Sequence, residues 1–320
     1  MTANCFKILE RLFPDFILDF FKSLYHKFNM VHEIRVFRKG KIEKGLKRWY
    51  KFKTGETLNL DNPKKLTEKQ QWLKLHGVTP EIVMCTDKFL VREYIKKTIG
   101  SKYLIPIISI NGKDHFYNAE EIDFNKLPNS FVIQCNHGSK MTLVIKDKSK
   151  LNNRKIKSIK KKLNKWMKIN FCFYFGYEMI YKDIKPCIFI TKFLENENGL
   201  NDYKYMCFNG VPRYVWIDKD RFENHKRTTC NLDWTKAEFR MNTFEDLGNE
   251  FDIPLNSGEM EKVARILAKD FCFVRVDLYN IKGKIYFGEL TFSSGGGVEF
   301  PYPKEYNLIL GDMLKLPFEQ

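Results

Sequence analysis

Residues 271–297 read FCFVRVDLYNIKGKIYFGELTFSSGGG, and their reading decides the fold. The first half alternates with period two, as a strand does. Cys272, Val274, Val276 and Leu278 fall on one face, and Phe271, Phe273, Arg275, Asp277 and Tyr279 on the other. Residues 280–284 form a turn in which Gly283 can adopt positive φ. The return strand places Ile285, Phe287, Glu289 and Thr291 together. Asp277 and Glu289 are equally far from Gly283, so a tight hairpin sets them nearly opposite each other, with Arg275 close to Thr291.

Two facing carboxylates repel unless a cation lies between them. An oxygen-only cluster suits Mg²⁺, usually completed by substrate phosphates and water. Arg275 adds a charge-assisted donor for a phosphate or a developing oxyanion. The spacing alone fits equally a surface hairpin with an Arg–Asp pair. The three glycines and the run of aromatics favour a site.

The whole chain has 320 residues, enough for two lobes and a sizeable core. Hydrophobic content of 43% and aromatic content of 15% indicate a folded protein. A net charge of +16 and a pI near 9.3 imply an anionic partner: nucleic acid, an acidic membrane face or an acidic substrate. The eight cysteines are scattered, with no CxxC pair, which argues against zinc. With no signal peptide recognisable, they read as reduced thiols of a cytoplasmic protein. No apolar run reaches the ~20 residues that span a bilayer.

Residues 5–25 are apolar at helical spacing on both sides of Pro14, suited to packing on the protein itself or to lying on a membrane surface. Residues 33–53 are strongly basic, with Arg48-Trp49-Tyr50-Lys51 interleaving aromatics and cations; they read as a polyanion-binding segment or a solvated connector. Residues 66–76 read as a helix with Trp72 and Leu75 inward. A second helix opens at Thr86-Asp87-Lys88 and stops at Gly100, and residues 103–110 read as a strand. Strands over 131–135 and 142–146 flank the loop Asn136-His137-Gly138-Ser139-Lys140, which is not a Walker loop and fits either an ordinary turn or a phosphate-covering one. Residues 154–170 form a basic amphipathic helix, whose lysines suit a solvated face more than nucleic acid. A strand over 188–194, a pair around Asn209-Gly210, a polar cluster over 220–227 and a helix over 257–269 complete an α+β pattern.

Together KLTEKQQWLKLHG, TDKFLVREYI, LPNSFVIQCNHGS, DYKYMCFNG, DRFENHKR, VRVDLYNIKGKIYFGELTF and GDMLKLP resemble, in order, the teichuronopeptide-biosynthesis (TupA-like) branch of the ATP-grasp superfamily. The resemblance runs from about residue 58 to the end. It implies two α+β lobes clasping ATP, after an N-terminal region over 1–60, with lobes over 61–190 and 191–320. It implies an ATP- and Mg²⁺-dependent ligase that joins an amino compound to the uronic acid of a surface polysaccharide through an acyl phosphate. In that scheme Arg275 steadies the transferring phosphoryl group, and Asp277, Glu289 and Thr291 hold the metal. Lys88, Gln134, Asn136, His137, Gly138, Ser139, Lys146, Lys192, Phe193, Leu194, Asp202 and Lys204 surround the nucleotide. Arg221, Asn224, His225 and Arg227 face the acceptor.

Two positions depart from the family pattern. Gln134 stands where the family usually has a phosphate-contacting lysine, and Thr191 where it tends to have a glutamate that caps the adenine amino group. Lys140 or Lys146 is placed to supply the missing charge. Intact Arg275, Asp277 and Glu289 favour an active enzyme. The competing readings are a polyanion-binding module and a glycosyltransferase of the same pathway.

Overall fold

The computed structural model describes residues 31–174, 176–194, 201–219, 225–241, 244–248 and 251–319. The apolar segment 5–25, the acidic loop 195–200 and residues 220–224, with Arg221 and Asn224, lie outside the described residues.

Two antiparallel sheets organise the chain. The first has the order β1 (His115–Phe116), β4 (Ile188–Lys192), β2 (Phe131–Cys135), β3 (Thr142–Ile145). Helix α5 (Asn153–Trp166) covers it, starting at Asn152, whose side chain accepts from Lys155 N at 2.9 Å. Leu163 is fully buried against Phe131, Ile133 and Ile190, and Ile156, Ile159 and Trp166 pack beside it. The stripe expected from the 3.6 period therefore faces this sheet.

The second sheet has the order β9 (Lys284–Thr291), β8 (Phe273–Ile281), β5 (Asp202–Phe208), β6 (Val211–Lys219), β7 (Lys226–Asn231). One face is apolar along its length, with Tyr205, Cys207, Val215, Val274, Val276 and Leu278. Helix α6 (Ser257–Ala268) seals it with Met260, Val263, Ala264 and Leu267. Two short helices, α3 (Pro80–Thr86) and α4 (Val91–Thr98), add Cys85, Val91 and Ile95 to this same core. The opposite face is split. Its apolar half, Met206, Phe208, Trp216 and Phe273, is covered by α2 (Leu66–His76) and α7 (Tyr306–Met313) through Leu66, Leu310 and Leu314. Its other half carries Asp202, Lys204, Asp218, Arg227, Arg275 and Asp277, all buried.

Three expectations need correction. The helix opening at Asp87 starts later, at Val91; the Asp87 carboxylate instead accepts from Phe89 N at 2.8 Å and Leu90 N at 3.0 Å, and α3 precedes it. Residues 104–110 form no strand, touching β4 only by Ile108 N to Ile190 O at 2.8 Å and Lys192 N to Pro106 O at 2.9 Å; Pro106 has no N–H to continue a ladder. In α2, Trp72 and Leu75 do pack on the Leu46–Tyr50 core but stay half-buried, so they are not the most buried side of the helix. Its fully buried side is polar, because it has partners to meet: Lys69 donates to Leu314 O at 2.8 Å and pairs with Glu319 at 2.8 Å.

The basic segment is packed rather than free. Helix α1 (Ile42–Thr54) buries Leu46 and Tyr50 completely, against Cys172 and Tyr177 among others. The seven described cysteines are free thiols, and no described helix is long and apolar enough to cross a membrane.

Candidate active site at the Arg275 hairpin

The hairpin turns through Lys282 and Gly283, both at positive φ (49° and 83°), as a two-residue loop requires. Pairing then runs Lys284 with Ile281 through Phe287 with Leu278. Continued without a break, that register would set Gly288 opposite Asp277 and turn Glu289 to the core side. A bulge at Gly288 shifts it, pairing Glu289 with Asp277 and Thr291 with Arg275. This corrects one part of the strand reading: Ile285 and Phe287 lie in the apolar core with Leu290, and only Glu289 and Thr291 join Arg275. Glycine eases the bulge, since a Cβ on Gly288 would lie 3.0 Å from the Asp277 carbonyl oxygen, a tight contact.

Arg275 is the hub. Its Nε and Nη2 each donate to the Asp277 carboxylate at 2.7 Å. Its Nη1 donates to Ser294 Oγ at 2.5 Å, and Nη2 lies 3.1 Å from Thr291 Oγ1 and 3.3 Å from Glu289 Oε1. Lys88 pairs with the other Glu289 oxygen. Lys204, 1% exposed, stands 2.7 Å from Asp202, 3.2 Å from Asp218 and 3.8 Å from Asp277. Arg227 closes the series with two bonds to Asp218, at 2.5 and 2.9 Å. His225 approaches Asp218 at 3.3 Å and packs on Phe244.

Cations and carboxylates thus alternate across the polar half-face, each cancelling its neighbours. Burial pushes the Asp277 carboxyl above its ordinary range, against the pull of Arg275 and Lys204. Burial alone would lower Arg275, but Asp277 and Glu289 more than offset it and leave the guanidinium firmly charged. For Asp218 the Arg227 and Lys204 charges outweigh burial and hold the carboxyl far below the usual range.

Among the described residues no group of three or more His, Cys, Asp or Glu side chains forms a metal cage. The donors fit a different arrangement. Glu289 keeps 30% of its side chain exposed, Thr291 Oγ1 lies 3.3 Å from it, and Asp277 stands behind. Such a hard oxygen set suits Mg²⁺ that arrives with phosphate oxygens completing its shell.

The wall across Lys88 carries few charges, the buried Asp87 carboxylate among them. Gln134 donates to Thr191 Oγ1 at 3.4 Å. Asn136 is spent on structure: its amide donates to Asp87 at 2.7 Å and Lys185 O at 3.0 Å, and its Oδ1 accepts from Cys187 N at 2.7 Å. Its carbonyl accepts from Lys88 N at 3.1 Å, so Lys88 is tied by its backbone to this loop and by its ammonium to Glu289. His137 is buried with Nε2 donating to Trp166 O at 3.1 Å, and burial lowers its pKa. Gly138 is packed on Phe171, which leaves Ser139 and Lys140 at the exposed tip. Lys146 and Lys192 are exposed, with Phe193 and Leu194 half-buried beyond the end of β4.

A family model described as TupA-like ATP-grasp matches residues 68–315. The chain belongs to that family. It is therefore a member of the ATP-grasp superfamily of ATP-dependent ligases, and its two-sheet α+β architecture is the ATP-grasp fold. No curated protein matches. Three solved structures are similar in fold. D-alanine–D-alanine ligase from Bacillus anthracis, complexed with ATP, shares 14% identity over 77% of this chain and 74% of that one, with a TM-score of 0.41. L-amino acid ligase from Bacillus licheniformis shares 13% over 88% and 63%, with 0.46. The ATP-grasp ligase PsnB, complexed with minimal precursor, Mg and ADP, shares 9% over 78% and 67%, with 0.38.

This TupA-like ATP-grasp protein also uses residues that motif reading passed over. Ser294 was visible in the glycine run, and Asp218 sits two residues beyond Trp216 on a strand, hence on the same face. The support beneath the glycine run had no sequence signal. Gly295, Gly296 and Gly297 take φ of 56°, 72° and 77°, which side chains disfavour. Gln71 donates to Gly297 O at 2.8 Å, Lys74 to Gly296 O at 2.9 Å, and Ser293 Oγ to Glu178 at 2.5 Å. Burial pushes the Lys74 pKa down and the Glu178 pKa up, each against the pull of the other's charge.

Proposed function

We propose that this protein is an ATP- and Mg²⁺-dependent ligase forming an amide between a uronic acid of a surface polysaccharide, or its precursor, and an amino compound. The observation that carries the reading is Arg275, buried and held by Asp277, with donors toward Ser294, Thr291 and Glu289. A fully desolvated charge network is weak at stabilising a fold, because desolvation offsets attraction. It is effective at stabilising charge that develops during a reaction, because its dipoles are already oriented.

The substrate carboxylate attacks the γ-phosphorus of ATP, forming an acyl phosphate and releasing ADP. The amine then attacks the acyl carbon, the C–N bond forms, phosphate leaves, and the amine proton goes to solvent. Glu289, Thr291 and Asp277 would hold Mg²⁺, which would supply charge neutralisation to the phosphates when bound. Arg275 donates to the oxygens of the transferring phosphoryl group and of the tetrahedral adduct. Lys88 shifts between Glu289 and a phosphate oxygen, while its backbone bond to Asn136 keeps it placed. Exposed Ser139 and Lys140 offer backbone N–H groups over the phosphates. The basic surface balance suits a uronate, and the reaction belongs at the cytoplasmic side, where ATP is.

The test is ADP and phosphate release from Mg·ATP with glucuronate and an amine. Release should require both, and Asp277→Asn should lower it by about 10² or more while circular dichroism stays unchanged. Wild-type turnover in that variant would sink the metal and arginine assignment.

A further inference from the structure

The outer edge of the second sheet carries a pocket that the ligase reading leaves unused. It measures ≈ 210 Å³ and is lined by Arg227, Thr229, Lys236, Phe239, Arg240 and Tyr302 among others. Three buried polar groups at this edge have no hydrogen-bond partner: Arg227 Nη1 and Thr229 Oγ1, of two lining residues, and Trp216 Nε1 on the neighbouring strand. Their residues are 8%, 3% and 1% exposed. Trp216 and Thr229 are cross-strand partners, and the Arg227 guanidinium stacks 4.5 Å from the indole. The three therefore share one spot on one face. Buried donors are normally satisfied, so three together point to a ligand group that accepts.

The chemistry of the lining narrows that group. Trp Nε1–H and guanidinium are donors only, and Arg240 adds a second, exposed guanidinium. The lining acids are already engaged, Asp246 with Lys236 at 2.9 Å and Glu238 with the Tyr306 hydroxyl at 2.6 Å. This set suits a carboxylate. The pocket also adjoins the reacting centre. Arg227 and Arg275 flank the same Trp216 ring, at 4.5 and 5.5 Å. Glu299, which bonds Ser294 beside Arg275, lies 3.9 Å from Arg227 Nη1. A group in the pocket is thus one indole away from the phosphoryl-transfer position and is not the carboxylate that reacts.

Resting on the ligase reading, we infer that the β7-edge pocket binds a second, non-reacting carboxylate of the substrates, with Arg227, Thr229 and Arg240 as donors. That carboxylate belongs to an α-amino acid serving as the amine, or to a neighbouring uronate of the glycan. Calorimetry on the full chain with Mg·ADP distinguishes the sources. Glycine binding at least about tenfold tighter than glycinamide assigns the amino acid; diglucuronate binding similarly tighter than glucuronate assigns the glycan. In either case Arg240→Gln and Thr229→Val should each remove the preference by about tenfold while fluorescence of a trinitrophenyl ATP analogue with Mg²⁺ reports unchanged nucleotide binding. No preference in the wild type, or a preference both variants keep, overturns the pocket assignment and leaves the ligase reading standing. Failure of the wild type to bind the nucleotide analogue overturns the ligase reading itself.

Discussion

The two walls that Lys88 joins are built on opposite principles. On the hairpin wall Arg275, Asp277, Glu289, Lys204, Asp218 and Arg227 are charged, buried and mutually compensated. On the first-sheet wall Gln134, Thr191 and His137 are held by neutral hydrogen bonds, Asn136 also donates to the buried Asp87 carboxylate, and Lys140, Lys146 and Lys192 are exposed. The difference teaches where this molecule keeps its rigidity. Charged groups in a dry setting are fixed by each other and lose heavily if one is removed. A sparsely charged wall tolerates exchange, and can hold a nucleotide by shape and backbone rather than by charge.

Breaking the charged wall should have the largest effect. Arg275→Met leaves Asp277 buried without its principal partner and should cost about 3–5 kcal/mol in denaturant unfolding; a stability near wild type would show that these charges do not depend on one another. Next comes the bulge. Gly288→Ala pushes a Cβ toward the Asp277 carbonyl and should cost about 1–3 kcal/mol. Its activity should fall further than its stability, because Glu289 moves with the register. An equal fall in both would separate the bulge from the chemistry.

The sparsely charged wall offers a sharper comparison. Thr191 is 3% exposed, so Thr191→Glu alone buries a carboxylate and should destabilise by about 1–3 kcal/mol. Adding Gln134→Lys should recover most of that loss, as a double-mutant cycle would read. It should also lower the KM for ATP. Additive losses would mean that the two side chains do not act as a pair. The smallest effect concerns pH. Burial lowers the His137 pKa, so between its folded and ordinary values the unfolded chain binds the extra proton. Stability should therefore decline as pH falls below about 6.5, and His137→Gln should flatten that decline in urea melts at pH 7 and pH 5.

How much of this was legible depends on range. Period two and a turn centred on Gly283 point to the Asp277–Glu289 and Arg275–Thr291 pairs, yet the two-residue loop actually formed reaches them only through a bulge. The bulge that makes them possible was not legible, since Gly288 carries no mark that separates it from any glycine in a strand. Nor was the inward polar side of α2, because Gln71 and Lys74 meet carbonyls more than two hundred residues away. The loop residues Asn136 and His137 were singled out from order alone, and only the tertiary contacts show that their side chains fasten the loop. The packing of Cys85, Val91 and Ile95 on the second sheet is equally non-local.

Helix α1 lies wholly before the segment that the family model spans. Yet Trp49 faces Lys74 at 4.5 Å from its ring, and Lys74 holds the carbonyl of Gly296. The unit that evolution repeats and the unit that folds therefore have different beginnings. Anyone trimming the chain to its recognisable part would strip the lid from a buried ammonium and loosen, from the far side, the loop on which Ser294 meets Arg275.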